Sequence, residues 1–303
     1  MHVVNNVLQR WVPLIRWQGF HTSFLWRQMA RCNLRQVVST LKLATVRTNR
    51  CKMHAMSVAD KLVGIIGGMG PEATVDFMSK ILQVTPASTD QDHLRMVVEN
   101  NPRIPSRQAA MRGEGESPGP TIAAIAARLE TMGAEFIVMP CNLAHAWQSD
   151  IEAAISIPFV SIVEESVRGA LDRSDDASAV GLMTTPGCFT AGLYQRALAA
   201  AGRPVITQTP DELAEAMSFV EQIKSGNRSH EVALGLRDLA DQLVDRGARV
   251  VIAACTEFPL VLDESMFDVA FISSTDVLAR KTVAIALGQK EQGQRRTTVN
   301  NKE

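Results

Sequence analysis

Two thiols in this sequence end the same kind of segment. "FIVMPCN", residues 136–142, and "VVIAACT", residues 250–256, each run from an apolar stretch into a cysteine. The cysteines are Cys141 and Cys255, followed by Asn142 and Thr256. A buried cysteine ordinarily behaves as a small hydrophobe, so either thiol alone would carry no chemistry. A matched pair has other uses. Five cysteines without a CxxC pair give neither a disulfide framework nor a zinc signature, which fits a reducing cytosol. His145 lies near Cys141, but no histidine accompanies Cys255, so no metal is expected. Thiolates act as general bases, and thiols as general acids, when their pKa is tuned near the working pH. One below and one above a tetrahedral carbon could remove a proton from one face and return it to the other. That is what inverting a stereocentre requires.

The neighbours suit this task. Asn142 and Thr256 could hydrogen-bond a carboxylate, and backbone N–H groups at the helix starts that follow would favour an anion and lower a thiol pKa. Glu257 could meet an ammonium group; read as a first-turn acidic residue, it would serve only the helix dipole.

The elements that deliver the thiols are duplicated. "ARLETMGAEFIVMPCN", residues 127–142, and "DQLVDRGARVVIAACT", residues 241–256, both read as a helix end, a glycine turn and an apolar strand. Upstream, "LVGIIGGMGPEAT" from Leu62 and "AVGLMTTPGCFTAG" from Ala179 are each a short strand, a Gly/Pro loop and a helix start. Downstream, "IPFVSIVEESV" and "FDVAFISSTDV" each add a strand running into a helix. The expected fold is α/β: two similar Rossmann-like domains with parallel sheets, related by a pseudo-twofold axis, with the site in the cleft between them. Residues 60–168 with 274–290 form the first expected domain and 169–273 the second, the acidic stretch 172–178 serving as hinge and 291–303 as a polar tail.

Composition sets the outer limits. Hydrophobic residues make up 46% of the 303 and charged residues 21%, the balance of a globular chain. No run approaches the roughly 18 apolar residues of a spanning helix, and the net charge of −1 suggests no nucleic-acid partner. That total hides an asymmetry. Residues 1–59 hold nine Lys or Arg, no Asp or Glu, and three of the four tryptophans. Such a segment reads as a targeting sequence, or as upstream sequence joined ahead of a natural start at Met53 or Met56.

With these residues assembled, the chain resembles the aspartate/glutamate racemase family, in its cofactor-independent amino-acid racemase branch. The blocks that carry the resemblance are "GIIGGMGPEAT" (64–74), "NNPRIPSR" (100–107), "MPCNLAH" (139–145) and "ACTEFPLVL" (254–262). The resemblance implies a cytoplasmic homodimer that inverts the Cα of an acidic amino acid without pyridoxal phosphate, with no nucleic-acid or membrane partner. It implies Cys141 and Cys255 as paired acid/base thiols, Arg107 as the ligand of the substrate's side-chain carboxylate, and Lys224 on the other wall. Met69, Gly70, Asn101, Asn142, Thr256 and Glu257 match further cleft positions. Three positions depart from the family pattern: Leu143 replaces a Thr, Ser106 an Asp, and Cys188 a common Thr. Leu143 and Ser106 put the choice between aspartate, glutamate and a neutral amino acid in question.

Rival readings remain. "GMGPEA", residues 68–73, has the spacing of a dinucleotide fingerprint, but the acidic residue expected about 20 positions on is missing: Asp90 and Asp92 precede the next strand and Glu99 falls late. A hydantoin racemase or maleate isomerase would also use paired cysteines, and a binding protein would keep the pocket without turnover.

Overall fold

The computed structural model describes residues 60–175 and 177–289; the basic segment 1–59 and the polar tail 291–303 lie outside the described residues. Strand β1 (Val63–Gly67) leads through a glycine loop into helix α1 (Pro71–Val84). Then come β2 (Met96–Asn100), the short helix α2 (Arg107–Met111), α3 (Gly119–Thr131), β3 (Phe136–Val138), α4 (Gln148–Ala154), β4 (Phe159–Val160) and α5 (Ile162–Leu171). The pattern starts again with β5 (Ala179–Met183), α6 (Pro186–Ala191), α7 (Leu193–Ala200), β6 (Val205–Thr207), α8 (Pro210–Lys224) and α9 (His230–Asp245). It closes with β7 (Ala248–Ala253), β8 (Ala270–Ser273) and α10 (Ser274–Ala286).

Each half builds a four-stranded, wholly parallel sheet, ordered β2-β1-β3-β4 in one and β6-β5-β7-β8 in the other. The duplicated α/β architecture expected from the sequence is therefore present, with the same strand order in both halves. Parallel sheets are covered on both faces, which is why β1 and β3 are buried throughout and read as unbroken apolar runs. The largest apolar cluster spans both halves, uniting Val63, Ile65 and Phe136 with Val180, Leu182, Val250 and Ile252. The last helix, α10, returns to pack on α1 and α5 of the first half.

Two equivalent constraints fix where the thiol-bearing strands run. Gly133 and Gly247 end α3 and α9 with φ of +94° and +105°, a left-handed step that glycine takes without steric cost. On the neighbouring strands, helix and sheet approach closely over Gly64 and Gly181. A Cβ on Gly64 would lie 2.5 Å from Ile137 Cδ1 and 3.0 Å from Ala134 Cβ; one on Gly181 would lie 3.0 Å from Ala248 Cβ and 3.2 Å from Leu243 Cβ. Gly181→Ala and Gly64→Ala are each expected to cost about 1–3 kcal/mol through overpacking. Urea unfolding should show a lowered midpoint at unchanged slope for both variants.

Candidate active site

Both thiols stand just past the carboxyl ends of interior strands, where ligands meet open α/β sheets. Met139 and Pro140 carry the chain from β3 to Cys141, after which Leu143–Trp147 turns as a 3₁₀ helix. Ala254 links β7 to Cys255, and a second 3₁₀ turn follows at Phe258–Leu260. Both cysteines are buried and unbridged. A single cleft of about 300 Å³ is lined by both of them, by Met69, Arg107, Asn142 and Leu143 from the first half, and by Lys224, Thr256 and Glu257 from the second. Gly70 instead lines an adjoining cavity of about 240 Å³ that shares Arg107, Lys224 and Glu257. Asn101 lines neither: its Oδ1 accepts from the Arg103 N–H at 2.9 Å, and its backbone lies against Gly68, bracing the loop from behind. Gln108, Arg112, Thr185 and Met217 also face the cleft. No motif in the sequence marks them.

The second thiol is tied to a buried carboxylate. Cys255 Sγ donates to Glu257 Oε2 at 3.1 Å, and Thr256 Oγ1 lies 3.3 Å from the same oxygen. The other oxygen, Oε1, faces the half-exposed Lys224 Nζ at 3.5 Å, an ion pair without hydrogen-bond alignment. Burial drives the Cys255 thiol well above its ordinary range, and the Glu257 carboxylate drives it further, against the Lys224 ammonium. Burial also raises Cys141, but there Arg107, the Ala144 N–H and Lys224 pull back toward ionisation, while Glu257 pushes up. Partial burial pulls the Lys224 ammonium down, yet Glu257 and the two thiols outweigh it and the net shift is upward. The cationic wall thus favours a thiolate at Cys141 over one at Cys255.

Other side chains hold the frame. Asn142 Nδ2 donates to Ser274 Oγ at 3.0 Å, and Tyr194 OH donates to Asn142 Oδ1 at 2.5 Å. Its carboxamide is thus oriented by α10 and α7, while one Nδ2 proton is left over at the cleft it lines. Burial keeps the Tyr194 hydroxyl protonated, its pKa well above the usual value. Arg107 opens α2, and its Nη1 donates to the carbonyls of Ile104 at 3.0 Å and Pro105 at 2.8 Å. Ser106 caps that helix, its Oγ accepting from the Ala109 N–H. Cys188, a third buried thiol, is lifted to about 12 by desolvation and is chemically quiet.

His145 fixes the first thiol's turn. The Ile162 N–H donates to its Nε2 at 3.1 Å, so the ring proton sits on Nδ1 and is donated to the Cys141 carbonyl 2.8 Å away. Burial lowers its pKa to about 4 from 6.5. A depressed histidine binds fewer protons folded than unfolded, so its contribution is complete above pH 6.5 and is lost as pH falls toward 4. That loss is expected to total roughly 3 kcal/mol. Urea midpoints measured across this window should fall for the natural protein and flatten in His145→Gln.

The chain is similar in sequence and fold to known racemases. The Asp/Glu/Hydantoin racemase family profile matches residues 66–282. The broad specificity amino-acid racemase RacX of Bacillus subtilis (strain 168) is 29% identical over 231 residues, covering 75% of this chain and 98% of that protein. The structure of Picrophilus torridus aspartate racemase superposes with a TM-score of 0.64 at 29% identity, over 75% of this chain and 94% of that one. An aspartate racemase homologue from Pyrococcus horikoshii OT3 shares the fold at a TM-score of 0.60 and 24% identity, over 75% of this chain and 99% of that one. The chain belongs to the Asp/Glu/hydantoin racemase family.

Proposed function

We propose that this protein inverts the α-carbon of an amino acid by two-base proton transfer between Cys141 and Cys255, without pyridoxal phosphate. The observation that carries the reading is that two buried thiols, at equivalent strand ends of the two halves, line one cleft. In one direction the Cys141 thiolate takes the α-proton, and the electron pair passes into the substrate carboxylate. The Cys255 S–H then delivers a proton to the opposite face, leaving Cys255 as thiolate and Cys141 as thiol. The reverse direction exchanges the roles. Excluding water from these thiols strengthens every charge interaction around the developing carbanion.

Arg107 and Lys224 suit a carboxylate, while the buried Glu257 Oε1, which accepts no hydrogen bond, suits a substrate ammonium. Aspartate, glutamate or a related amino acid is the expected substrate. Leu143, Met217 and Val220 make part of the wall apolar, which widens the range toward aliphatic side chains. The same reading includes a cytoplasmic homodimer without nucleic-acid or membrane partners, with domains at 60–168 plus 274–290 and at 169–273.

Incubation with L- and D-amino acids in D₂O tests this directly. Loss of the α-proton signal should accompany appearance of the opposite enantiomer, and Cys141→Ser or Cys255→Ser should each lower that rate by at least about 10³-fold. Retained racemisation in both variants would overturn the mechanism. Because the Cys141 pKa is raised, its thiolate fraction grows as pH climbs past neutrality, so kcat/KM should rise on the alkaline side. Lys224 lowers both thiols, so Lys224→Met should move that limb, and the pH dependence of thiol alkylation, to higher pH.

A further inference from the structure

Helix α2 is an odd platform for a substrate-binding arginine. It has five residues, none of them buried, and belongs to neither sheet. Of its residues Met111, at the far end, packs on the apolar core, which leaves polar contacts to set the first turn that carries Arg107. Ser106 caps the helix, and Arg107 is tied to carbonyls of its own loop. Both contacts are local and move with the loop.

The next residue, Gln108, reaches across to the other half. Its Nε2 donates to Thr185 Oγ1 at 3.1 Å, and its Oε1 accepts the Gly187 N–H at 2.9 Å. Met217 Sδ, also from the second half, lies 3.7 Å from the same nitrogen. The receiving side is complementary. Thr185 is the N-cap residue of α6, yet its side chain caps nothing within that helix; Gln108 Oε1 instead takes the free Gly187 N–H. A Cβ at Gly187 would lie 2.3 Å from Gln108 Oε1 and displace it, so glycine there leaves the carboxamide its place. Donor and acceptor of one carboxamide are both used, and neither a shorter nor an apolar side chain could make the two bonds.

We infer that Gln108 is a positioning residue: its carboxamide latches the Arg107-bearing helix onto the second half and so sets the cleft width at which Arg107 meets the substrate. The role in turnover rests on the racemase reading above; the latch itself does not.

The test uses the full chain with Gln108→Ala, Thr185→Val and the double variant. Without any substrate, amide hydrogen exchange over 106–112 and 185–191 should accelerate about tenfold in Gln108→Ala, while the strands stay protected. With whichever amino acid the natural protein racemises, KM should rise about tenfold and kcat stay within about threefold. Thr185→Val, which removes only one acceptor, should show a smaller rise, and the double variant should fall short of the product of the two. Unchanged exchange in both segments would overturn the latch. Faster exchange with unchanged KM, or effects of the two substitutions that multiply independently, would overturn the positioning role. If the natural protein racemises no amino acid, the functional reading fails and the exchange experiment alone decides whether the latch exists.

Discussion

A carboxylate buried beside a thiol is the constraint around which this cleft is organised. Glu257 is 4% exposed, and a charge taken so far from water must be matched by donors or cations. Cys255 and Thr256 supply the donors from its own turn; the cation comes from Lys224 at the last turn of α8. That requirement draws the end of α8 to the cleft and brings Val220 and Met217 of the same helix to the wall. Cys141, on the opposite side, is left with the cationic influence of Arg107 and Lys224. One buried acid therefore makes the two thiols electrostatically unequal, although their strands are equivalent.

The fold was legible because parallel sheets leave a plain trace. Strands covered on both faces become apolar runs, and helices that end on glycine before them recur in both halves, at Gly133 and Gly247. The thiols were legible for the same reason, since they sit at the same place in a repeated unit. Of the residues expected at the site, Gly70 and Asn101 stand apart from the cleft lining: Gly70 borders the adjoining cavity, and Asn101 is engaged by the loop it braces.

What the sequence concealed are contacts between residues far apart along the chain. Gln108 meets Thr185 across 77 positions, and Asn142 meets Ser274 across 132; no local pattern encodes either. Asn142 is oriented by the fully buried Tyr194, which nothing nearby in the sequence announces. Ser106 reads as a lost acid, yet it serves as a helix cap. Gly119 and Pro120 open α3 out of a Gly/Pro-rich stretch, since proline is tolerated in a first turn.

The return of α10 to the first half has a consequence for synthesis. The chain completes β1–β4 and then the whole second half before it makes the helix that covers α1 and α5. Ser274, which opens that helix, also holds Asn142 beside the first thiol. A ribosome working from the amino end therefore releases the first half with α1 and α5 still uncovered. Its thiol-bearing turn becomes fully braced only when nearly all of the described chain has emerged, so the first-made half is the last to be finished.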